Sequence, residues 1–327
     1  MTKTNKIGYI NECALWTEVS IEGVILNVEE RTKNNKEPFL MLTIADCDDT
    51  LTFPIWDNIE SRKAKLEVGK ILTVVGAVNE YQGERQVKPE GFQIRELTDE
   101  EKHKFIPSYE IKPEVMDWFL DNVNGLEPPY RDIVQLALGI HPGHRTEQAE
   151  EKWRRFTTAP AAVKHHHNKL CGLFNHTAGL LYNVNAVIDL YIDNPFFLCA
   201  KDVINPSRLR AGAILHDVCK VYEYSYDTHI GYADTRFDHR LMFMNYVNGI
   251  NELSFRVTGT GLTTEELEEL QELILTHHGP WGGYKPKNLE SLILFLVDMM
   301  DSQIVGCIEQ NNPNKVRMTL SSMLDAE

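Results

Sequence analysis

Two hydrophobic periods divide the chain. From residue 15 to residue 96 apolar positions recur every second residue, the spacing of half-buried strands. Leu40, Leu42 and Ile44 alternate with Phe39, Met41 and Thr43; the tetrapeptide CDDT then supplies a turn, and Leu51, Phe53 and Ile55 resume the alternation. VSIEGVILNVEE predicts a strand before this hairpin. ILTVVGAVNEY and QVKPEGFQIREL, joined by QGER, predict two more after it. DNIESRKAKLEVGK reads as a short helical or polar connection between the third and fourth strands. Five strands so arranged predict a small Greek-key β-barrel of OB type. The charged connector TDEEKHKFIPSYEIKP ends the pattern at residues 97–112, and from Pro113 onward the period is 3.6. The expectation is a multidomain α and β protein. It has a barrel over 1–96, the connector with a helical segment over 97–160, an all-α domain over 161–310 and a tail over 311–327.

Within the helical half, AGAILHDVCKVYEY (211–224) breaks its own pattern. His216, Asp217 and Lys220 interrupt an apolar run, and burying such groups is costly unless they are paired or bound to metal. Leu209, Ala213, His216 and Lys220 fall on one stripe of a continuous helix, with Asp217 one step round. Four other segments behave alike. His176 precedes Leu180 by one turn and shares a face with Leu180, Leu181, Val184, Val187, Ile188 and Tyr191. His239 opens a helix whose apolar set is Phe243, Val247 and Ile250. Thr263 and Glu266 form a capping box, after which Leu267, Leu270, Ile274 and His277 follow one face, with His278 adjoining. Asp298 ends the apolar run Leu292–Val297, and Asp301 lies one turn on.

A lone histidine on an apolar face is usually a core residue satisfied by one hydrogen bond. Five helical faces bearing such groups, one of them an adjacent His-Asp pair, call for a shared cause. His176, His216, Asp217, His239, His277 and Asp298 make a nitrogen and oxygen set that can hold two divalent metals, with Asp217 as the natural bridge. Metal charge compensates buried ligands of this kind, and two ions about 3.5–4 Å apart activate water against phosphorus. His229 and His278 carry a weaker signal. His103 and His141 are expected at the surface.

Composition narrows the setting. The 327 residues are 43% hydrophobic and 25% charged, as in ordinary globular proteins. The purely aliphatic and aromatic run Leu292–Val297 is far shorter than the roughly 20 residues of a membrane span. MTKTNKIGYINE lacks the apolar core of a signal peptide. A cytoplasmic protein without membrane partners is expected. Six scattered cysteines with no C-x-x-C pair exclude a zinc ribbon and a disulfide scaffold. The net charge is −15, and residues 176–327 carry 11 Lys and Arg against 20 Asp and Glu. Such a chain does not hold duplex nucleic acid by charge alone, although a cation-loaded acidic pocket attracts phosphate.

The ordered set GLFNHT, AGAILHDVCKVYE, FDHRL, LTHHGPWG and FLVDMMD resembles the HD-domain phosphohydrolases, whose ligand order is His, His-Asp, His, His, Asp. AAVKHHHNKLCGLFNHTAGLLYNV and EPFLMLTIADCDDTLTFPIWD are similar to the YhaM-type 3′–5′ exoribonucleases, a family that joins an OB-fold to an HD domain. The resemblance spans about residues 15–305. It implies metal ligands at His176, His216, Asp217, His239, His277 and Asp298. It also matches the HD-x-x-K lysine to Lys220 and the paired histidines to His166 and His167. Cys219 departs from the family, which usually has Gly there.

The resemblance implies a metal-dependent 3′–5′ exonuclease on single-stranded nucleic acid, RNA favoured over DNA, with manganese the favoured ion and iron, cobalt, nickel or zinc compatible with the ligands. It also leads to the expectation of a homo-oligomer. Lys220 would steady the phosphate, and His166 or His167 would contact it or protonate the leaving oxygen. On the barrel, Phe39, Phe53, Trp56 and Tyr81 are candidates for stacking bases. Lys33, Lys36, Arg62, Lys63, Lys65, Arg85 and Lys88 are candidates for tracking the backbone. Two other readings stand beside it: an HD-type nucleotide or cyclic-nucleotide phosphohydrolase, and a non-catalytic single-strand-binding accessory protein with a structural metal site.

Overall fold

The computed structural model describes residues 4–33, 36–81, 84–98, 101–105, 108–162, 167, 169–191, 203–225, 232–233 and 238–309. His166, His229 and the tail 311–327 lie outside the described residues, as does the side chain of His103. Two compact units divide between Ser108 and Tyr109.

The first unit is an antiparallel sheet of β1 (Glu18–Thr32), β2 (Pro38–Ala45), β3 (Thr50–Ile55), β4 (Ile71–Tyr81) and β5 (Glu84–Arg95), in the order β3-β2-β1-β4-β5. Helix α1 (Ile59–Lys63) links β3 to β4, and α2 (Lys102–Phe105) follows β5. The long β1 serves both halves: Glu18–Val24 pair with β4 and Val24–Thr32 with β2, with a bulge between Ile25 and Asn27. Gly23 stands near this changeover, where a Cβ would lie 2.9 Å from the Ala45 carbonyl oxygen. The edge strands β3 and β5 pack together without a ladder, so the sheet curls into a partly open barrel.

Period-two alternation decides what fills this barrel. Leu40, Leu42, Ile44, Leu51, Phe53 and Ile55 are buried in one cluster with Ile21, Leu72 and Val74. Phe39, Met41 and Thr43 stand half-buried on the other face. Phe53, expected among the base-stacking aromatics, is instead fully buried in the core, because it shares the face of Leu51 and Ile55.

The second unit is helical: α3 (Pro113–Asn124), α4 (Tyr130–Leu138), α5 (Glu147–Thr158), α6 (Gly172–Tyr191), α7 (Pro206–Leu215), α8 (Lys220–Glu223), α9 (His239–Thr258), α10 (Thr264–Thr276) and α11 (Leu289–Glu309). Side chains of Asn205, Asp238 and Thr263 cap α7, α9 and α10, and Thr263 with Glu266 completes the expected capping box. Helix α6 packs on α7 and α11, α7 on α10, and α10 on α9. Leu289–Ile308 is long and apolar enough to cross a membrane by length and composition alone. Within the fold it buries Leu294, Phe295 and Val297 and carries Asp298 and Asp301.

Three details differ from the periodic reading. Helix α7 stops at Leu215, so His216, Asp217 and Lys220 do not share one helix. Tyr191, in the last turn of α6, is 46% exposed rather than inward. His141 is buried, not at the surface: its Nδ1 accepts the Gly143 N–H at 3.0 Å, and Nε2 lies 3.8 Å from Asp132.

The barrel core predicts a contrast between two phenylalanines. Phe53→Ala is expected to lower unfolding free energy by about 3–5 kcal/mol. Phe39→Ala, outside the core cluster, is expected to cost under about 1.5 kcal/mol. Urea denaturation of the two variants checks this, and equal losses would refute the placement.

Candidate metal centre

The site is built at helix ends. His216 follows the last residue of α7 and His277 the last residue of α10, and each uses the same local device. Its Nδ1 lies on the carbonyl three residues back, Ala213 at 2.8 Å and Ile274 at 2.6 Å. A carbonyl only accepts, so Nδ1 carries the proton and Nε2 presents a lone pair. His239, the first residue of α9, sets Nδ1 3.0 Å from Glu223 Oε2. His176, inside α6, sets Nδ1 2.8 Å from Asp301 Oδ2. Metal-ligating histidines are held in this way, through the ring nitrogen that does not bind the ion.

All four Nε2 atoms converge on Asp217, in the turn between α7 and α8. Its Oδ2 lies 3.2 Å from His216 and 3.6 Å from His176. Its Oδ1 lies 3.2 Å from His239 and 3.6 Å from His277. His176 Nε2 is also 3.2 Å from Asp298 Oδ1 and 3.0 Å from His216 Nε2. The donors therefore form two groups: His176, His216 and Asp298 beside one oxygen of Asp217, and His239, His277 and His278 beside the other.

This arrangement fits cations. Asp217 Oδ1, His239 Nε2 and His277 Nε2 are buried and have no hydrogen-bond partner, although they crowd one another. Unpartnered buried polar atoms are expensive, and a shared positive ion satisfies all three. Asp217 has one oxygen for each group, which suits a bridging ligand.

The electrostatics agree. Burial works against a charged Asp217, yet Lys220 and His216 hold it well below the usual carboxylate range. Burial likewise opposes charge on Asp298, and His176 pulls it down. Burial opposes an imidazolium at His176, but Asp298 and Asp301 outweigh it and raise the pKa to about 10. His239 is also raised, Asp217 and Glu223 overcoming burial. His277 is lowered by burial, and His278 is pushed to about 2 by burial and by His277. The upward shifts of His176 and His239, one in each group, mark the two places where neighbouring carboxylates favour positive charge.

The other expected site residues lie around this cluster or on the barrel. Lys220 does not stand free toward a phosphate: its Nζ lies 2.7 Å from Asp217 Oδ2 and 2.7 Å from the Ala161 carbonyl, as the turn after α7 brings it round. His167 sits behind His176, its Nε2 3.1 Å from the same Asp301 Oδ2 that holds His176. That places it among the groups that orient a ligand rather than among the converging lone pairs. Asp301 and His278, left open by the sequence, are both in the cluster. On the barrel, Phe39 stacks on Trp56 at 4.7 Å and 24°, with Lys33 Nζ 5.3 Å from the Trp56 ring. Trp56 is 52% and Tyr81 61% exposed. Lys33, Arg62, Lys63 and Arg85 face Glu37, Asp57, Glu30 and Glu80. Lys36, Lys65 and Lys88 have no acidic partner within 4 Å among the described residues.

Comparison with known proteins agrees with both units. Residues 19–95 match the OB-fold nucleic acid binding domain, and residues 175–302 match the HD domain. The 3′-5′ exoribonuclease YhaM of Listeria welshimeri serovar 6b is 27% identical over 305 residues, covering 91% of this chain and 87% of that protein. The same-named protein of Bacillus subtilis strain 168 is 29% identical over 279 residues, covering 83% and 80%. Among solved structures, the second OB-fold domain of replication protein A from Methanococcus maripaludis aligns at 17% identity with a TM-score of 0.22, covering 29% of this chain and 98% of that one.

A pH dependence follows. In chelator, the contribution of His176 to stability is fully present below its unfolded pKa of 6.5 and is lost as pH rises through about 10. A metal must displace that proton, so the rise in thermal midpoint on adding manganese should grow with pH across the same window. Melting curves with chelator and with manganese at successive pH values check this. A metal-induced rise that shrinks with increasing pH would contradict it.

Proposed function

We propose that this chain, a relative of the YhaM exoribonucleases with an OB-fold unit and an HD unit, is a metal-dependent 3′–5′ exonuclease of single-stranded nucleic acid, with RNA favoured. The observation that carries the reading is Asp217, a buried carboxylate with each oxygen turned to its own group of imidazoles, in an HD unit that follows an OB unit. His176, His216 and Asp298 would hold one divalent ion and His239, His277 and His278 the other, with Asp217 shared. Bound divalent ions activate water and neutralise phosphoryl oxygens. Manganese is favoured through the family resemblance; the His and carboxylate donors also suit iron, cobalt, nickel or zinc.

The chain's own groups do the rest. Ala213, Ile274, Glu223 and Asp301 hold the imidazoles in one tautomer and one orientation. Lys220 adds a fixed positive charge beside Asp217, where negative charge grows on a phosphate under attack. The stacked Phe39 and Trp56, with Lys33 beside them, form a base-stacking platform on the OB unit. Cytoplasmic residence and assembly into a homo-oligomer accompany this reading.

A 5′-labelled single-stranded RNA and its DNA counterpart, incubated with manganese, are expected to shorten one nucleotide at a time from the 3′ end and to release mononucleotides. Hydrolysis of free nucleotides alone would favour the nucleotide phosphohydrolase; binding without hydrolysis would favour the accessory protein.

Two substitutions probe the centre. Asp217→Ala is expected to abolish hydrolysis and lower bound metal by elemental analysis; full activity with two ions per chain would refute the shared carboxylate. Lys220→Ala is expected to keep the metal and lose about 10²–10³ in turnover. Native turnover with a lowered thermal midpoint would confine Lys220 to holding the turn after α7.

A further inference from the structure

The loop that follows His277 and His278 carries groups that the metal centre does not use. Residues 273–289, LILTHHGPWGGYKPKNL, contain no Asp or Glu, within a half of the chain that is otherwise acidic. Trp281 and Tyr284 are 46% and 44% exposed, and Lys285 and Lys287 are exposed as well. Neither lysine has a carboxylate partner within 4 Å among the described residues.

The loop is held firmly in place. Gly279–Gly282 form a 3-10 turn that ends at Gly283 with φ 79°. Arg240 Nη1 donates to the Gly282 carbonyl at 3.0 Å, and Arg240 is itself clamped by Asp238. The Trp281 ring rests on Phe295, 5.6 Å between centroids, so one side is packed and the other is open. A Cβ at Gly282 would lie 2.8 Å from His278 Cβ, which puts the residue beside Trp281 directly against the metal-ligand group.

We infer that Trp281 is a stacking platform for a base of the single strand whose phosphate lies at the metal centre, and that Lys285 and Lys287 take neighbouring phosphates. The inference rests on the nuclease reading and names a second strand-binding site, on the HD unit itself. A fixed indole with one free side suits any base, because every base has a π-face. The paired lysines supply positive charge where the surrounding unit supplies little. An open aromatic without such cations would equally suit another protein; two exposed lysines in the same acid-free loop, which starts at the metal-binding group, favour the phosphodiester strand.

The test compares two 5′-labelled tetranucleotides, one ordinary and one with abasic residues in its 3′ half, binding to the full chain in chelator. Trp281→Ala is expected to weaken the ordinary strand about 5- to 150-fold, the range of one lost stack, and to leave the abasic strand near the wild-type value. Trp281→Phe should retain most of the affinity. Lys285→Gln with Lys287→Gln should weaken both strands alike and flatten the salt dependence by about 0.7 log units per lysine. Equal losses on both strands with Trp281→Ala, or no loss on either, would overturn the stack. So would native strand affinity with a changed sedimentation coefficient, which would assign the loop to contact between copies of the chain. Hydrolysis of the ordinary strand by the wild-type chain with manganese is followed separately. Its absence would defeat the nuclease reading, while base-dependent binding would still support the stack.

Discussion

One buried carboxylate sets the terms for the helical unit. Asp217 is 2% exposed, and four imidazole nitrogens and an ammonium lie within 3.6 Å of its oxygens. An acid so placed must be compensated, and the compensating groups come from elements far apart in sequence. The requirement explains where helices stop. Helix α7 ends at Leu215 and α10 at Thr276, so that the carbonyls of Ala213 and Ile274 can lock the histidines that follow them.

Because the two oxygens of Asp217 serve different groups, loss of charge on one side is felt on the other. In each group the acids push one imidazole, His176 or His239, toward its charged form. The fold can thus hold its ligands in position with protons and exchange them for a stronger cation. Asp301 extends the arrangement outward. Its Oδ2 holds both His176 and His167, so the orientation of one ligand depends on a residue from the segment before α6.

Much of this was legible in the sequence, and the omissions have physical causes. The period-two pattern placed Leu40, Leu42, Ile44, Leu51, Phe53 and Ile55 on one face, and all six are buried. Naming Phe53 a stacking residue contradicted that same pattern, whereas Trp56, just past the end of β3, was free of it. The interrupted apolar runs pointed to His176, His216, Asp217, His239, His277 and Asp298, and the fold brings these six together. His278 was undervalued because helical spacing puts adjacent residues about 100° apart; it lies beyond the end of α10, where that spacing no longer applies. Lys220 lies 2.7 Å from Asp217 Oδ2, three residues on in the chain, while the break in the helix after Leu215 removes the continuous stripe that would have aligned it with His216. His141 could not be read at all, since its partners come from Asp132 and a local turn, and neither leaves a periodic trace.

On the nuclease reading, charge and stacking would divide the work of holding a strand. A chain of net charge −15 repels a polyanion at long range. At physiological salt the Debye length is about 8 Å, so that repulsion fades beyond roughly one nucleotide and only local groups count. Each unit exposes an indole: Trp56 on the barrel, with Lys33 Nζ 5.3 Å from its ring, and Trp281 in the loop that follows His277 and His278, a loop that also carries the exposed Lys285 and Lys287. Stacking on an indole is insensitive to base identity and to salt, whereas lysine contacts are sensitive to salt alone. On the nuclease reading, indoles placed this way would suit flexible single strands, whose bases are free to stack. They would gain little from a duplex, whose bases are already stacked on one another. On that reading a preference for single strands would need no base-reading hydrogen bond, because an open aromatic face is of use only to bases that are not already stacked in a duplex.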